Sequence, residues 1–471
     1  MTDTKKAEAK PSENKMGTMP VGKLLITMSL PMIASMMVQA LYNVVDSIFV
    51  ARVSKDALDA VGAAFPVQNI LIGVGTGTAV GVNALLSKSL GQKEYDRANR
   101  IAENGIFLAF CASVAFLLFG LFGVDLYMQS CNVSDGVRTL GTDYLQIVCV
   151  CSFGVLFQVM FERLLQSTGR TLFTMFTQGI GAIINLILDP IFIFGYLGLP
   201  AMGVKGAAYA TVIGQIVAAI LAVVFNVFKN PDIKLKLSRF RPNVKIIGRI
   251  YAIGVPSILM VGIGSIMTYC MQRILSGMKD TAGMGYTVYN VYFKLQSFFF
   301  MPLFGMNNGV IPIVAYNYGA RNRNRMMATL KLAMIMAFCF MAAGFTTMQV
   351  FPKELLSIFK PENCDLELFY DVGSTALRII CMHLPLAGFC IAIGSIFQAL
   401  GRSIFSMTVS AARQLVVLIP AAFLLSLTGK VSSVWWAFPI AEVMSLAVSV
   451  SLFVYLYRKE IKHIPDGLPV K

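Results

Sequence analysis

Gln166-Ser167-Thr168-Gly169-Arg170-Thr171-Leu172-Phe173 returns about 230 residues later as Gln398-Ala399-Leu400-Gly401-Arg402-Ser403-Ile404-Phe405. Each copy sets a Gly-Arg step between two long apolar runs. Two further pairs keep the same order. Ser29-Leu30-Pro31 matches Gly254-Val255-Pro256, and Ser89-Leu90-Gly91-Gln92-Lys93 matches Asn317-Tyr318-Gly319-Ala320-Arg321. A chain that repeats itself in this way is built from two copies of one unit, placed one after the other.

Composition says what the unit is made of. The chain has 471 residues, 56% hydrophobic and only 13% charged, with a mean hydropathy of +0.71. A soluble surface needs roughly a quarter charged residues. Apolar runs of about 20 residues, long enough to cross hydrocarbon as helices, lie at 24–45, 61–86, 101–124, 141–163, 172–195 and 206–228. Six more lie at 247–272, 286–313, 326–350, 372–399, 404–428 and 432–457. The expected fold is an all-α membrane protein of twelve transmembrane helices in two pseudo-symmetric six-helix lobes, 24–228 and 247–457. Residues 1–23 and 458–471 are tails. The stretch 229–246, basic and carrying Pro231 and Pro242, links the lobes. No short apolar core with a cleavage site precedes span 1, so no signal peptide is expected and the span is kept.

The formal charge of +15 raises nucleic acid as a partner, and its distribution argues against that. Basic residues collect before span 1 (Lys5, Lys6, Lys10, Lys15, Lys23), between spans 2 and 3, 6 and 7, and 8 and 9, and after span 12. All of these lie on one side. The opposite loops are poor in Lys and Arg. The positive-inside rule then places both termini in the cytoplasm of a multi-pass protein of the bacterial cytoplasmic (inner) membrane. The cysteines show no metal-ligand spacing or paired framework. The glycines of 73–81 lie in an apolar span with no strand before them, so they do not read as a nucleotide loop. No Walker motif is present, so the expected energy source is an ion gradient. No cofactor is expected beyond H+ or Na+ as the coupling ion, and no catalytic constellation marks an enzyme.

Two carboxylates, Asp46 and Asp189, lie deep in apolar spans of the first half. Met271 and Ala421 stand at the matching places of the second. An acid within a span is costly and marks an ion or substrate pathway. Asn185 and Asp189 are four apart and share a helix face, with Pro190 directly after. Gln39 and Asp46 are seven apart, two turns of one face, and Tyr42 with Gln39 can donate into the same pocket. Hard oxygens of this kind suit a sodium ion or a proton on the acid, and the residues do not choose between them. Solvation of Asp46 near a span end and capping by Asp189 are the alternatives. Glu162, beside Arg163 and near Arg170, is expected in a local ion pair. Arg413 and Glu442 are expected to pair with each other. Lys294, Gln296 and His383 are expected to line a cavity.

Several ordered motifs carry a family resemblance over about residues 20–460. Gln39-Ala40-Leu41-Tyr42-Asn43-Val44-Val45-Asp46-Ser47-Ile48-Phe49-Val50 resembles the first-span signature of multidrug and toxic compound extrusion (MATE) transporters. Residues 185–195 (NLILDPIFIFG) are similar to their fifth-span signature and 203–211 (GVKGAAYAT) to their sixth. Residues 312–320 (PIVAYNYGA) are similar to the motif after span 8. The resemblance implies a single-chain, cation-coupled exporter of bulky, often cationic organic compounds, working by alternating access of two lobes in membrane lipid. It implies a first-half cation site at Asp46, Asn185, Asp189 and Thr211, the sodium ligands if sodium is used, with Gln39 as a polar cavity residue. One branch of the family carries acids in spans 7 and 10. This chain has Gln272 and His383 there instead, which points to the DinF-like or MepA-like branch. A lipid or lipid-linked oligosaccharide flippase of the same superfamily is the alternative, and the acidic deep charges of the first half disfavour it. A membrane-embedded enzyme or receptor is a further one, and the twofold repeat is unusual for either.

Overall fold

Backbone groups that meet no water must bond to each other, and the apolar runs do so as helices. The computed structural model describes residues 14–131, 133–235, 240–278, 284–359 and 365–466, without the side chains of Asn43, Ser47, Ile48, Ala51 and Lys55. Lys5, Lys6 and Lys10, part of the linker (Lys236, Arg239) and the end of the C-terminal tail lie outside the described residues. Among the described residues, 11 helices are long and apolar enough to cross a membrane, and one bent pair makes a twelfth. Their order follows the expected spans, and most run several residues past the expected ends.

The first half contains α1 (Lys15–Thr18), α2 (Val21–Ala51), α3 (Lys55–Gly91), α4 (Tyr95–Phe122), α5 (Val124–Ser130), α6 (Asp135–Val150), α7 (Phe153–Ser167), α8 (Thr171–Phe194) and α9 (Val204–Lys229). The second contains α10 (Val244–Ser276), α11 (Met284–Gly319), α12 (Arg323–Val350), α13 (Pro352–Ser357), α14 (Leu366–Ile380), α15 (Leu384–Ala399), α16 (Ser403–Ala411), α17 (Ile419–Ser426), α18 (Val431–Val434) and α19 (Ala437–Lys459). Side-chain caps start several of them where the chain leaves the apolar layer. Ser54 accepts from Ala57 N–H, Asn243 from Lys245 and Ile246, and Asn322 from Arg325, which satisfies donors that a helix start leaves free.

The repeat read from the sequence recurs as geometry. Gly169 and Gly401 take the left-handed conformation, with φ of +83° and +79°, which explains why each motif keeps a glycine. Arg170 N–H bonds to Leu165 O at 2.8 Å and Arg402 N–H to Phe397 O at 2.7 Å, so the two turns are alike. The span expected at 141–163 is the bent pair α6–α7, which turns by 44° at the break between them. In the second half a 3-10 turn at Cys381–His383 interrupts α14 and α15 at the matching place. A π-helical turn, Ala412–Leu418, joins α16 to α17 just before Pro420.

The two halves meet where α2 packs on α11 and α3 packs on α10 and α11. The contact is tight toward the end that carries the termini and the basic loops. Ser29 Oγ of α2 donates to Met306 O of α11 at 3.4 Å, and α3 and α11 touch at their last residues, Gly91 and Gly319. Farther along, a Cβ on Gly62 of α3 or on Gly262 of α10 would meet nothing within 4 Å.

Candidate cation and substrate pocket

Helices α8 and α9 approach closely because Gly181 faces Gly214. A Cβ on Gly214 would sit 2.7 Å from Gly181 O. That approach brings Thr211 of α9 to the face of α8 that carries Asn185 and Asp189, both buried. With the Asn185 amide turned to satisfy both neighbours, its nitrogen donates to Asp189 Oδ2 at 3.1 Å. Its oxygen accepts from the Thr211 hydroxyl at 3.2 Å and from Thr211 N–H at 3.1 Å. Asp46 of α2 is near enough to Asp189 for their charges to interact, and Tyr42 feels both. Asp46 Oδ1 is buried and accepts no hydrogen bond. A bare carboxylate oxygen in such a place is expensive unless a proton or a cation sits on it. Three residues of the expected cation site, Asn185, Asp189 and Thr211, are therefore bonded together from two helices, with Asp46 of α2 within charge range of Asp189.

A cavity of about 140 Å³ adjoins this cluster. Gln39, Tyr42, Asn185 and Thr211 line it, and so do Glu162 and Arg163. Tyr42 and Asn185 are thus shared between the cavity and the aspartates. The volume holds an ion with several waters, or one end of a substrate, and is smaller than a pocket for a whole drug-sized molecule.

Glu162 corrects an expectation. It is not ion-paired with Arg163. Its carboxylate accepts from three neutral donors: Thr177 Oγ1 at 2.9 Å, Gln178 Nε2 at 2.7 Å and Gln158 Nε2 at 3.1 Å. Arg163 turns the other way and donates from Nη1 to Gln166 Oε1 at 2.9 Å and to Asn308 Oδ1 of α11 at 2.8 Å. Arg170 pairs with Asp232 at 3.4 Å. Neighbours in sequence on a helix point about 100° apart, which is why adjacency misled here. The available signal was the spacing of Gln158 and Glu162, four apart on one face. Gln68 and Tyr144, bonded at 2.8 Å, were also missed. Tyr144 lies near Asp46, and only the α3–α6 packing reveals it.

The residues singled out in the second half lie elsewhere. Gln272 Nε2 donates to Asn290 Oδ1 at 2.9 Å. Lys294 is exposed, with Nζ 5.9 Å from the Phe359 ring centre, and Gln296 is half-buried on the same helix. His383 is buried against the rings of Phe300 and Phe438, with Nδ1 2.6 Å from Ile380 O. None of the four lines the cavity beside Asn185. The expected pair of Arg413 and Glu442 forms at 3.2 Å.

A family model described as MatE matches residues 31–191 and 252–424. The Multidrug export protein MepA of Staphylococcus aureus is 25% identical over 448 residues, covering 94% of this chain and 95% of that protein. MepA of Staphylococcus saprophyticus is 24% identical over 446 residues, with the same coverage. Two solved structures superpose with a TM-score of 0.89 at 23% identity. One is an outward-facing multidrug resistance MATE family transporter of the MOP superfamily, with 96% of this chain and all of that one covered. The other is a MOP superfamily transporter from Pyrococcus furiosus, described as having a binding pocket of reverse polarity, with 97% and 99% covered. At that identity the structural likeness speaks for the fold.

Proposed function

We propose that this chain, which belongs to the MatE family of membrane transporters, exports organic compounds, cationic ones among them, by antiport against H+ or Na+. The observation that carries the proposal is the hydrogen-bonded set of Asn185, Asp189 and Thr211, near Asp46, whose Oδ1 is buried without a hydrogen-bond partner. A proton on either aspartate neutralises a charge that the apolar surroundings oppose. A sodium ion at the same oxygens would do the same, with the Thr211 hydroxyl oxygen as a further ligand and the Asn185 oxygen joining it once that amide turned toward Asp189. The MepA likeness supports drug-like substrates. As a member of the MatE family, the protein is a transporter and not an enzyme.

In this reading the lobes are 24–228 and 247–457, with both termini and the linker in the cytoplasm of a bacterial cell. The tight α3–α11 contact then closes the cytoplasmic side, and the structure is outward-facing. The ion enters from outside and the lobes rock to expose the cavity inward. The ion leaves, and substrate takes the return path. One charge crossing 100 mV contributes about 2.3 kcal/mol, and each pH unit adds about 1.4 kcal/mol. One or two ions per cycle, bound to a single chain, sustain substantial accumulation gradients.

Transport of a cationic dye by purified protein in vesicles, with proton and sodium gradients imposed independently, tests the reading. Asp189→Asn and Asp46→Asn should each reduce uptake severely. If both variants transport at full rate, the proposed coupling site is wrong.

A further inference from the structure

The residues just ahead of the first span are built into the protein. Asn14 donates from Nδ2 to Thr168 O at 3.0 Å, in the repeat turn between α7 and α8. Its Oδ1 accepts from Met16 N–H at 3.0 Å and so caps α1. Met16 is fully buried in an apolar core that contains Met28 and Leu164 of the first half and Val314 and Met326 of the second. The second half also holds the backbone of this segment. Asn317 Nδ2 donates to Met16 O at 3.2 Å. Arg325 Nη2 donates to Met16 O at 3.2 Å and to Met19 O at 2.6 Å. The Tyr316 ring closes over Gly17, where a Cβ would lie 3.0 Å from it.

By position in the chain this segment belongs to the first half, yet residues of the second half hold its carbonyls. Arg325 is 7% exposed, and a guanidinium desolvated onto carbonyls makes strong, charge-assisted bonds. The other end of the chain is tied differently. Arg323 donates to Lys462 O at 2.8 Å and pairs with Asp466, and Arg402 pairs with Glu460. Both of those ties stay within the second half. Among the described tail residues, the segment of α1 is the one that bonds to both halves.

We propose that α1 is a latch: it clasps the N-lobe turn at Thr168 to Asn317 and Arg325 of the C-lobe, and holds the transporter closed on the cytoplasmic side. The latch rests on the two-lobe reading given above. When the lobes part at this end, Thr168 and Arg325 separate, and α1 keeps one set of bonds and loses the other. The bonds it loses favour the closed form over the open one, so the latch sets the resting population.

The test uses the full chain in lipid nanodiscs, with spin labels at Lys229→Cys and Arg458→Cys, exposed positions at the basic ends of the two halves. Arg325→Gln, which removes the charge-assisted bonds to Met16 O and Met19 O, should raise the ratio of long to short label distances at least tenfold. Asn14→Ala, which removes the bond to Thr168 O together with the cap on Met16 N–H and leaves both cores intact, should raise it at least threefold. If the parent protein changes distance with the imposed ion gradient and both variants keep the parent distribution, the latch is wrong and alternating access stands. If the parent shows one distance under every gradient, the alternating-access reading fails and the latch falls with it.

Discussion

Gly91 and Gly319 end α3 and α11 against one another. A Cβ on Gly91 would fall 2.0 Å from Tyr316 O, and one on Gly319 would fall 2.1 Å from Lys88 O. They close the same motif in the two halves, so the internal repeat places its own two copies in contact at the end that carries the termini. The obstructing atoms are backbone and cannot rotate away. Gly319→Ala must push the helix ends apart, at a cost of about 1–3 kcal/mol to the sealed form. The expected outcome is a shift toward the cytoplasm-open form and slower export, read from the label distance between positions 229 and 458 and from dye transport. An unchanged distribution would mean that the seal does not depend on this contact.

Thr211 bonds to Asn185 through its hydroxyl and through its N–H. Thr211→Val keeps shape and backbone but removes the hydroxyl, and leaves one lone pair of the Asn185 oxygen without its donor. A lost partner in a buried site costs about 1–3 kcal/mol. The coupling-ion concentration for half-maximal transport should rise by roughly tenfold or more, while Thr211→Ser stays near the parent value. Equal loss in both variants would assign the effect to packing instead.

Three donors converge on the Glu162 carboxylate. Glu162→Gln removes the charge and presents an NH2 group to at least one of them, so a neighbouring group must turn its oxygen to accept and the arrangement of donors is lost. Export should fall several-fold. Gln178→Met, which removes the shortest of the three bonds, should have a smaller effect. Dye efflux from cells expressing each variant ranks them, and the reverse order would show that Gln178 matters apart from Glu162.

The spans, the repeat and the shared face of Asn185 and Asp189 are legible because each leaves a local mark, whereas Asp46 and Thr211 come from other helices and join the expected site only through the family resemblance. An apolar run has a length, a repeated turn keeps its glycine, and residues four apart share a face. Glu162 departs from the expected ion pair because its partners come from two helices, and the pairing of α7 with α8 is a tertiary fact. His383, expected to line a cavity, lies against the aromatic rings of Phe300 and Phe438, which are far away in the chain. The Met16 latch was invisible for the same reason. A methionine in a polar tail carries no pattern, and its burial follows from Asn317 and Arg325, some 300 residues away.

Lys15, on the latch and outside the spans, bears on its strength. Burial, and then the nearby Arg170 guanidinium, hold its amine below the ordinary lysine value. Docked Lys15 therefore binds its proton less well than undocked Lys15. Docking is weakest below the lowered value and strengthens as pH rises from there toward the ordinary 10.5. At neutral pH the charge opposes docking, so Lys15→Met should favour the closed form, opposite in sign to Arg325→Gln. The same label pair reports both.

Arg413 and Glu442 form an ion pair at 3.2 Å, in which Glu442 is 2% exposed and Arg413 27%. Glu442 Oε1 has no hydrogen-bond partner, so the carboxylate depends on Arg413 for its compensation. Arg413→Met leaves a buried charge alone, which costs about 3–5 kcal/mol. Glu442→Leu should cost less, because the half-buried guanidinium has a route to polar surroundings. The double variant Arg413→Met/Glu442→Leu removes both charges and should recover most of the loss, since apolar replacement of a buried pair is often neutral or better. Thermal unfolding in detergent gives the stability order, and dye transport gives the function. Recovery of both would mark the pair as structural glue for the second lobe. A double variant that is stable but transports nothing would instead assign the pair a part in the cycle, in the lobe that lacks acids at the positions matching Asp46 and Asp189.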